Sequence, residues 1–246
     1  MFQLEKFNLD FETSSTCNRA CPTCLRNSHP DRDALQSWFE SSFLSDSVIF
    51  QALDEAAEHP DFSWTTCLSF YNEPLMDKRI AEITQKIKRY YPDMFVYFHT
   101  NGDYLHEEIV ETLDGVLDRL VVTLYQDEPK KSERATWVHT LFSKTVVDVI
   151  TQSAHIPTHF SPAYDVKALA EKHVNHTCLE PSRRIVINHR RQFLLCCDDL
   201  IGEFDLGTFP EKSIEEHWEE KKKIQSKLSV NGGRKWHPYC VSCPRP

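Results

Sequence analysis

The sequence predicts an α/β fold in which repeated βα units build a parallel sheet, followed by a smaller region of different architecture. Strand-like and helix-like stretches alternate through the first half of the chain, which is typical of such units. A Pro- and His-containing loop interrupts the alternation between Thr151 and Asp165. After it come a hairpin pattern, one amphipathic helix and a pair of cysteines. We therefore expect one domain over residues 1–155 and a second over residues 156–246.

The elements of the first domain are predicted from hydrophobic period and from boundary residues. The first strand covers Phe2–Phe11 and ends just before a cluster of cysteines. A helix is predicted over Asp46–Glu58, with Ser45 or Asp46 as its cap and apolar residues on one face. The remaining elements are strands at Thr65–Tyr71, Met94–His99, Arg119–Leu124 and Thr145–Ile150, and helices at Asp77–Tyr91 and Leu105–Leu113.

The second domain has fewer predicted elements. Arg184–Ile187 and Gln192–Leu195 flank a short polar turn and are predicted to form a hairpin. Ser213–Leu228 has the hydrophobic period of an amphipathic helix. Its inward face is expected to carry Ile214, Trp218, Ile224 or Gln225, and Leu228.

Composition and charge exclude several classes of function. The chain has 246 residues and 40% hydrophobic content, which is enough for a sizeable core. Its 28 basic and 37 acidic residues give a net charge of −9, so no nucleic-acid partner is expected, because phosphate binding needs a cationic surface. No apolar run approaches the ~20 residues of a membrane helix, and the N-terminus lacks a signal-peptide pattern. The sequence therefore predicts a cytoplasmic protein without a membrane partner.

The cysteines are clustered along the chain. There are nine of them, and without a secretion signal such clusters indicate metal or redox chemistry more than a disulfide framework. Cys67 stands apart from the others and is predicted to be a small buried residue in a strand. The clustered cysteines are Cys17, Cys21 and Cys24, then Cys178, Cys196 and Cys197, and finally Cys240 and Cys243.

The first cluster has the spacing of an iron-sulfur loop. Cys17, Cys21 and Cys24 have three and two residues between them and follow a predicted strand directly. Thiolates are the ligands that iron-sulfur centres require, and three of them leave one iron of a cubane open to a small molecule. A zinc site is the alternative, but structural zinc normally takes four protein ligands. The loop therefore favours an iron-sulfur cluster.

The segment Cys17-Asn18-Arg19-Ala20-Cys21-Pro22-Thr23-Cys24 resembles the signature of the radical S-adenosylmethionine (radical SAM) superfamily. The resemblance implies a partial (β/α)6 TIM-like barrel, a first 4Fe-4S cluster on these three cysteines, and bound SAM. The residue before the third cysteine is usually aromatic in that superfamily and is Thr23 here. Stacking on the adenine is therefore expected from another side chain.

Further motifs resemble the SAM contacts of the superfamily. Tyr71-Asn72-Glu73-Pro74 follows the second predicted strand, where relatives carry a Gly-Glu-Pro type motif on the methionine ammonium. By this likeness Glu73 accepts from the ammonium and Asn72 assists, with Pro74 as part of the motif. Thr100-Asn101-Gly102 follows the third strand, as in relatives where this loop lies beside the ribose, and Thr123 ends the fourth. Barrels of this kind keep their active sites at these strand ends.

The later cysteines form a second, four-residue set. Cys178, Cys196, Cys240 and Cys243 are compatible with structural zinc as well as with a closed iron-sulfur site. Their spacing resembles the shortened SPASM region called a twitch domain, which implies a second, auxiliary 4Fe-4S cluster. In such proteins the first residue of the Cys-Cys step is the ligand, so the resemblance selects Cys196 over Cys197. In relatives the residue two positions later reaches the substrate, which makes Asp198 the candidate substrate contact or base.

The resemblance also implies the class of reaction. SAM would be cleaved to a 5′-deoxyadenosyl radical that removes hydrogen from a peptide or small-molecule substrate, with an external flavodoxin- or ferredoxin-type reductant. Peptide modification is the leading expectation, because residues 159–164 lack the mid-chain arginine with which related aminocyclitol dehydrogenases hold their substrate. A separate leader-peptide recognition protein is then expected as a partner. Dehydrogenation of an aminocyclitol or sugar is the alternative. A non-enzymatic zinc or electron-transfer module is the distant alternative.

Overall fold

A computed structural model describes residues 6–22, 24–31, 33, 35–125, 131–151 and 158–246. Its strands are β1 (Phe7–Phe11), β2 (Phe62–Cys67), β3 (Phe95–Thr100), β4 (Arg119–Leu124), β5 (Val146–Thr151), β6 (Arg184–Ile187) and β7 (Phe193–Leu194). Its α-helices are α1 (Leu25–Ser28), α2 (Asp46–Ala57), α3 (Ile80–Tyr90), α4 (Glu107–Leu113), α5 (Lys131–Leu141), α6 (Val166–His173), α7 (Ile214–Leu228) and α8 (Pro238–Val241). Short 3-10 helices lie at Gln36–Phe39, Pro74–Met76, Glu180–Ser182 and Gly233–Trp236.

The strands form one seven-stranded sheet in the order β5-β4-β3-β2-β1-β6-β7. Every pairing from β5 to β6 is parallel, and β7 alone runs antiparallel, against β6. The predicted α/β class with its mostly parallel sheet is confirmed. The sixth parallel strand comes from the predicted hairpin, because β6 pairs with β1 from Asn8 opposite Arg184 to Phe11 opposite Ile187.

Apolar strand residues and the inner faces of the helices make a continuous core. A sheet buried on both faces needs apolar residues at successive positions, as in Leu120 and Val122 of β4 and Ile185 to Ile187 of β6. Helix α3 buries Ile80, Ile83 and Ile87 on one stripe. None of the helices in the described ranges is long and apolar enough to cross a bilayer.

The second strand lies three to four residues earlier than predicted. Thr65–Tyr71 was expected, but β2 covers Phe62–Cys67. The chain leaves the ladder because side chains take over the backbone bonds: Ser69 accepts from the His99 amide, and Asn72 accepts from the Phe70 amide. Polar side chains that bond to nearby backbone make turns of this kind. Residues 2–5 of the first predicted strand lie outside the described ranges.

Helices α5 and α6 were not predicted from the sequence. Among the described side chains of α5, Val138 is buried, whereas the neighbouring Trp137 is exposed. Helix α6 buries only Ala170 and His173. One or two buried residues do not produce a 3.6-residue period, so neither helix has a clear hydrophobic signal.

Buried polar groups join the C-terminal elements to the first strands. Arg184 of β6 lies 3.5 Å from Asp10 of β1, and burial raises the pKa of the Asp10 carboxyl to about 6. Lys221 of α7 donates to the carbonyls of Arg184 (2.5 Å) and Leu195 (3.0 Å). Burial lowers the pKa of the Lys221 ammonium to about 8. The sheet thus includes strands from both sides of the predicted domain boundary at residues 155 and 156, which themselves lie outside the described residues. The division into two domains stays a prediction.

Helix α7 matches its prediction and packs on the barrel. The five residues expected on its inner face are all buried. The Trp218 indole N–H donates to Asp61 (2.9 Å), and the Ile214 amide donates to Glu55 of α2 (3.1 Å). Ser213 begins the helix with a capping box, in which its hydroxyl accepts from the Glu216 amide and the Glu216 carboxylate accepts from the Ser213 amide.

Replacing Ser213 with alanine is expected to lower the free energy of unfolding by about 1 kcal/mol, because the Glu216 amide loses its acceptor. Denaturant unfolding of the two proteins measures the difference. Ser226→Ala is the matched control, since its exposed hydroxyl donates to the Lys223 carbonyl within the same helix and caps no helix end. Equal destabilisation by both substitutions would contradict the capping role.

Candidate active site

A cleft of about 360 Å³ opens at the carboxyl ends of β1 to β4. Loops and strand ends that are far apart in the sequence meet there, as expected for a parallel sheet of this type. Its lining residues are Cys17, Arg19, Cys21, Cys24, Leu25, Ser69, Phe70, Tyr71, Asn72, Glu73, His99, Thr100, Asn101, Thr123, Tyr125, Thr158 and Arg245. The structure therefore brings together the three N-terminal cysteines and nearly all of the predicted SAM contacts.

The cysteine loop is held by its own backbone. The Cys24 amide donates to the Cys21 carbonyl (3.1 Å), and α1 begins directly after Cys24. Arg26 of α1 donates to the Ser15 carbonyl (2.5 Å), which fixes the helix to the start of the loop. Burial raises the pKa of the Cys17 thiol and raises that of Cys24 to about 11. Metal binding at this loop must therefore displace thiol protons.

Glu73 is anchored at the centre of the cleft wall. Its carboxylate accepts from the Thr100 hydroxyl (2.6 Å), the Asn101 amide (2.8 Å) and the Leu75 amide (3.1 Å). Burial raises the pKa of the Glu73 carboxyl, and these three hydrogen bonds lower it in part, because they stabilise the carboxylate. The three bonds fix the carboxylate in one orientation, joining the loops that follow β2 and β3.

The loop after β3 is also tied to the cysteine loop. Arg19 donates to both carboxylate oxygens of Asp103 (2.7 and 2.6 Å), and Asn18 accepts from the Asn101 side chain (2.8 Å). Hydrogen bonds from Arg19 hold the pKa of the Asp103 carboxyl down at about 2. Gly102 turns the loop with a φ of +74°, and a Cβ there would lie 3.0 Å from Val122.

The remaining predicted contacts fall at different places. Thr123 lines the cleft, whereas the buried Pro74 begins the 3-10 helix below it. Asn72 lines the cleft, and its side-chain amide donates to Thr13 (3.2 Å). Tyr125 also lines the cleft, with the Arg19 guanidinium 4.5 Å above its ring. Thr23 lies outside the described residues.

Three of the four later cysteines lie near one another. Burial, with the neighbouring thiolates of Cys178 and Cys243, raises the pKa of the Cys240 thiol to about 12. Burial raises the pKa of the Cys196 thiol well above its ordinary value, and Cys197, Asp198 and Asp199 add to the shift. The Cys197 thiol instead donates to Glu180 (3.8 Å).

Asp198 lies beneath a residue that sequence analysis missed. Arg245 lines the cleft and donates to both carboxylate oxygens of Asp198 (3.1 and 2.7 Å). Within the described part of the chain, Asp198 is not among the lining residues, and its side chain is 1% exposed. His159 approaches the same carboxylate at 3.3 Å. The C-terminal tail has no motif that would have predicted this approach of Arg245 to the cleft.

The N-terminal thiols lie too far apart to bind a single metal ion together. Among the described residues, a set of three ligand atoms within 4.8 Å of one another occurs at His159, Asp198 and Cys243, and the three thiols of the N-terminal loop do not form such a set. Around a single zinc ion, tetrahedral thiolates lie about 3.8 Å apart for Zn–S bonds of about 2.3 Å. A cubane places iron and sulfide between its thiolates and suits the wider spacing. His159, Asp198 and Cys243 offer mixed donors, but Asp198 already accepts two bonds from Arg245.

Comparison with known proteins identifies the family. The model of the radical SAM superfamily matches residues 11–156, which include the cysteine loop and every strand end of the cleft. The chain belongs to the radical SAM superfamily. It is therefore a radical SAM enzyme, and a 4Fe-4S cluster and SAM are its cofactors, as the resemblance of its motifs implied. The distant alternative of a non-enzymatic module was wrong.

Relatives within the radical SAM superfamily cover nearly the whole chain. A SAM-dependent 2-deoxy-scyllo-inosamine dehydrogenase from Niallia circulans is 23% identical over 237 residues, which are 96% of this chain and 91% of the relative. The crystal structure of BtrN in complex with AdoMet and 2-DOIA matches with a TM-score of 0.74 at 22% identity, covering 99% of this chain and 94% of that one. Native anSMEcpe with bound AdoMet and Cp18Cys peptide matches with a TM-score of 0.55 at 12% identity, covering 97% and 88%. These structures share the fold.

Proposed function

We propose that this radical SAM enzyme is an oxidoreductase that dehydrogenates an alcohol of a small hydroxylated molecule, of the aminocyclitol or sugar class. The observation that carries this choice is the end-to-end match with a dehydrogenase of that class. Peptide modification, the leading expectation from the sequence, is unconfirmed and becomes the second candidate.

The residues of the cleft divide into cluster ligands and SAM contacts. We assign Cys17, Cys21 and Cys24 as the protein ligands that would hold the first cluster, which would leave one iron open to SAM. Glu73 would accept from the methionine ammonium, in a bond strengthened by its charge. Asn72, Thr100, Asn101 and Thr123 would contact the rest of SAM, and Pro74 would shape the turn that carries Glu73.

The second set of cysteines is proposed to hold an auxiliary 4Fe-4S cluster. Cys178, Cys240 and Cys243 influence one another's pKa values, which supports their grouping. The Cys197 thiol is engaged by Glu180, which supports Cys196 as the fourth ligand. When bound, the first cluster and SAM supply a radical that removes a hydrogen atom from the substrate, and the auxiliary cluster would take up the remaining electron.

Protein side chains then have the tasks of binding the substrate, orienting it and excluding water. Asp198 remains a candidate for substrate contact or base. Its two bonds to Arg245 favour a third role, in which it orients the arginine. His99 lines the cleft, and burial lowers the pKa of its imidazole, which favours the neutral form that can accept a proton.

The proposal includes partners. An external one-electron reductant of the flavodoxin or ferredoxin type would donate an electron to the first cluster. The second candidate function, peptide modification, is supported by the shared fold of anSMEcpe, whose structure holds a peptide. It would require a separate leader-peptide recognition protein.

Deuterium transfer tests the proposed function. Reconstituted enzyme is incubated without oxygen with SAM, dithionite and ring-deuterated 2-deoxy-scyllo-inosamine. We expect deuterium in 5′-deoxyadenosine and a product that has lost two hydrogens, both measured by mass spectrometry. Omitting dithionite is the control and should abolish transfer.

Deuterated peptides provide the opposing arm. Transfer from a peptide, with none from the cyclitol or from deuterated sugars, would contradict the alcohol substrate and favour the second candidate. Cleavage of SAM without transfer from any deuterated alcohol would also contradict it.

A further inference from the structure

Arg245 reaches the cleft from outside the barrel. Most of the lining comes from the loops and ends of β1 to β4, which carry the proposed cluster ligands and SAM contacts. Arg245 comes from the tail, two residues after Cys243, and lines the same cleft as Tyr71 and Thr158. Its side chain is 25% exposed. A guanidinium thus lies in the cleft on a segment that the proposed SAM site does not use.

One edge of the guanidinium is fixed by Asp198. Nε lies 3.1 Å and Nη2 2.7 Å from the two carboxylate oxygens, a bidentate pair that sets the plane of the group. Asp198 is held in turn, because the Tyr239 hydroxyl donates to its backbone carbonyl, and His159 Nδ1 lies 3.3 Å from its carboxylate without a hydrogen bond. His159 also stacks on Tyr239, with ring centroids 3.8 Å apart. The arginine is therefore oriented before any substrate binds.

The other edge is available. Within the ranges that the structure describes, Nη1 of Arg245 has no hydrogen-bond partner. The other cleft arginine, Arg19, has a different task, because it joins the cysteine loop to Asp103. Glu73 already accepts three bonds. Arg245 is therefore a cleft cation with N–H donors, those of Nη1, that a further ligand could use.

The charge of the Arg245–Asp198 pair indicates which kind of ligand Nη1 would bind. Asp198 neutralises the guanidinium, so an additional anion is not required to compensate it. A neutral oxygen can accept from Nη1 while the ion pair stays intact. Hydroxyl oxygens have this chemistry, and they are abundant on cyclitols and sugars.

We propose that Arg245 is a substrate-binding residue, which donates from its free edge to a hydroxyl oxygen of the substrate, and that Asp198 is its positioning residue. The proposal rests on the proposed oxidation of a small hydroxylated molecule. The two partners of the pair lie two residues after Cys196 and Cys243, so the loops of the second cysteine set determine where the pair lies.

The test compares Arg245→Gln and Arg245→Lys with wild type as reconstituted holoenzymes, using 2-deoxy-scyllo-inosamine as the probe. We expect the KM for the cyclitol, and its dissociation constant by anaerobic calorimetry, to rise about 10- to 100-fold in Arg245→Gln, because a bond to a charged donor is lost. Arg245→Lys should recover only part of the loss, since an ammonium lacks the planar fork. The KM for SAM should change less than about threefold.

Asp198→Asn tests the positioning role and should raise the cyclitol KM with Arg245 present. Arg191→Gln is the matched control, because Arg191 forms an exposed ion pair with Glu211 away from the cleft, and it should keep the wild-type values. Iron content, measured for each variant, separates substrate binding from damage to the cysteine loop.

The outcomes distinguish this proposal from the proposed function. If wild type oxidises the cyclitol and Arg245→Gln binds it equally well, Arg245 is not a substrate-binding residue although the function stands. If the variants lose iron while the loaded fraction keeps the wild-type KM, Arg245 serves the cysteine loop and the proposal is wrong. If wild type neither binds nor oxidises the cyclitol or a sugar, both proposals fall.

Discussion

Replacing Cys21 with alanine is expected to abolish cleavage of SAM. In the proposed assignment three protein thiolates would hold the first cluster, and removing one would leave two for a group that also needs an open iron for SAM. Because SAM cleavage depends on that cluster, we expect the rate of 5′-deoxyadenosine formation to fall at least about 10³-fold. The auxiliary set is untouched by this change, so iron should fall from about eight to about four per chain if both clusters are cubanes.

Anaerobic reconstitution, iron analysis and chromatography of 5′-deoxyadenosine measure this effect. Cys67→Ala is the matched control, because Cys67 is a buried cysteine of β2 outside both sets, and its thiol hydrogen-bonds to Ser69. That control should retain both iron and SAM cleavage. A Cys21→Ala protein with full activity would show that the loop does not hold the reactive cluster.

Replacing Glu73 with glutamine is expected to weaken SAM binding about 10- to 100-fold and to destabilise the fold by about 1–3 kcal/mol. The carboxylate accepts from Asn101 on one oxygen and from Thr100 and Leu75 on the other. Glutamine has one acceptor and one NH2 group, so at least one buried donor would face another donor. The neutral side chain also loses the charge-assisted bond proposed for the methionine ammonium.

Equilibrium binding of SAM to the reconstituted protein and denaturant unfolding measure the two effects separately. Glu82→Gln is the control, because Glu82 is an exposed carboxylate of α3 paired with Lys86. It should change neither quantity appreciably. If Glu73→Gln binds SAM as wild type does, the assignment of Glu73 to the ammonium is wrong.

Local patterns predicted most of the fold. Strands β3, β4 and β5 lie within one residue of their predicted bounds, and α2 begins after Ser45, its predicted capping residue. These elements have strong hydrophobic period or a side-chain cap, and both signals lie within a few residues. The second strand was displaced because Ser69 and Asn72 divert the backbone into a turn. Helix α5 was missed because its described side chains bury little.

The candidate site was predictable in part for the same reason. The cysteine loop, Glu73 and the Thr-Asn-Gly loop each follow a strand, and strand ends in a parallel sheet meet at one edge. The choice of Asp198 as a substrate contact came from a resemblance and stays a prediction. Its partner Arg245 has no local signal, because an ion pair between residues 47 positions apart depends on how the tail packs.

The sequence by itself carried the motifs whose resemblance implied the family, since the three thiols of its signature lie at fixed spacing within eight residues. It also determined the order of the strands and helices in the βα units, because the hydrophobic period of each element can be seen within its own sequence. Only the tertiary structure decided that the hairpin supplies the sixth parallel strand and that the tail places a guanidinium in the cleft. Both depend on contacts between distant segments, whose energies come from burial and pairing that no local pattern records.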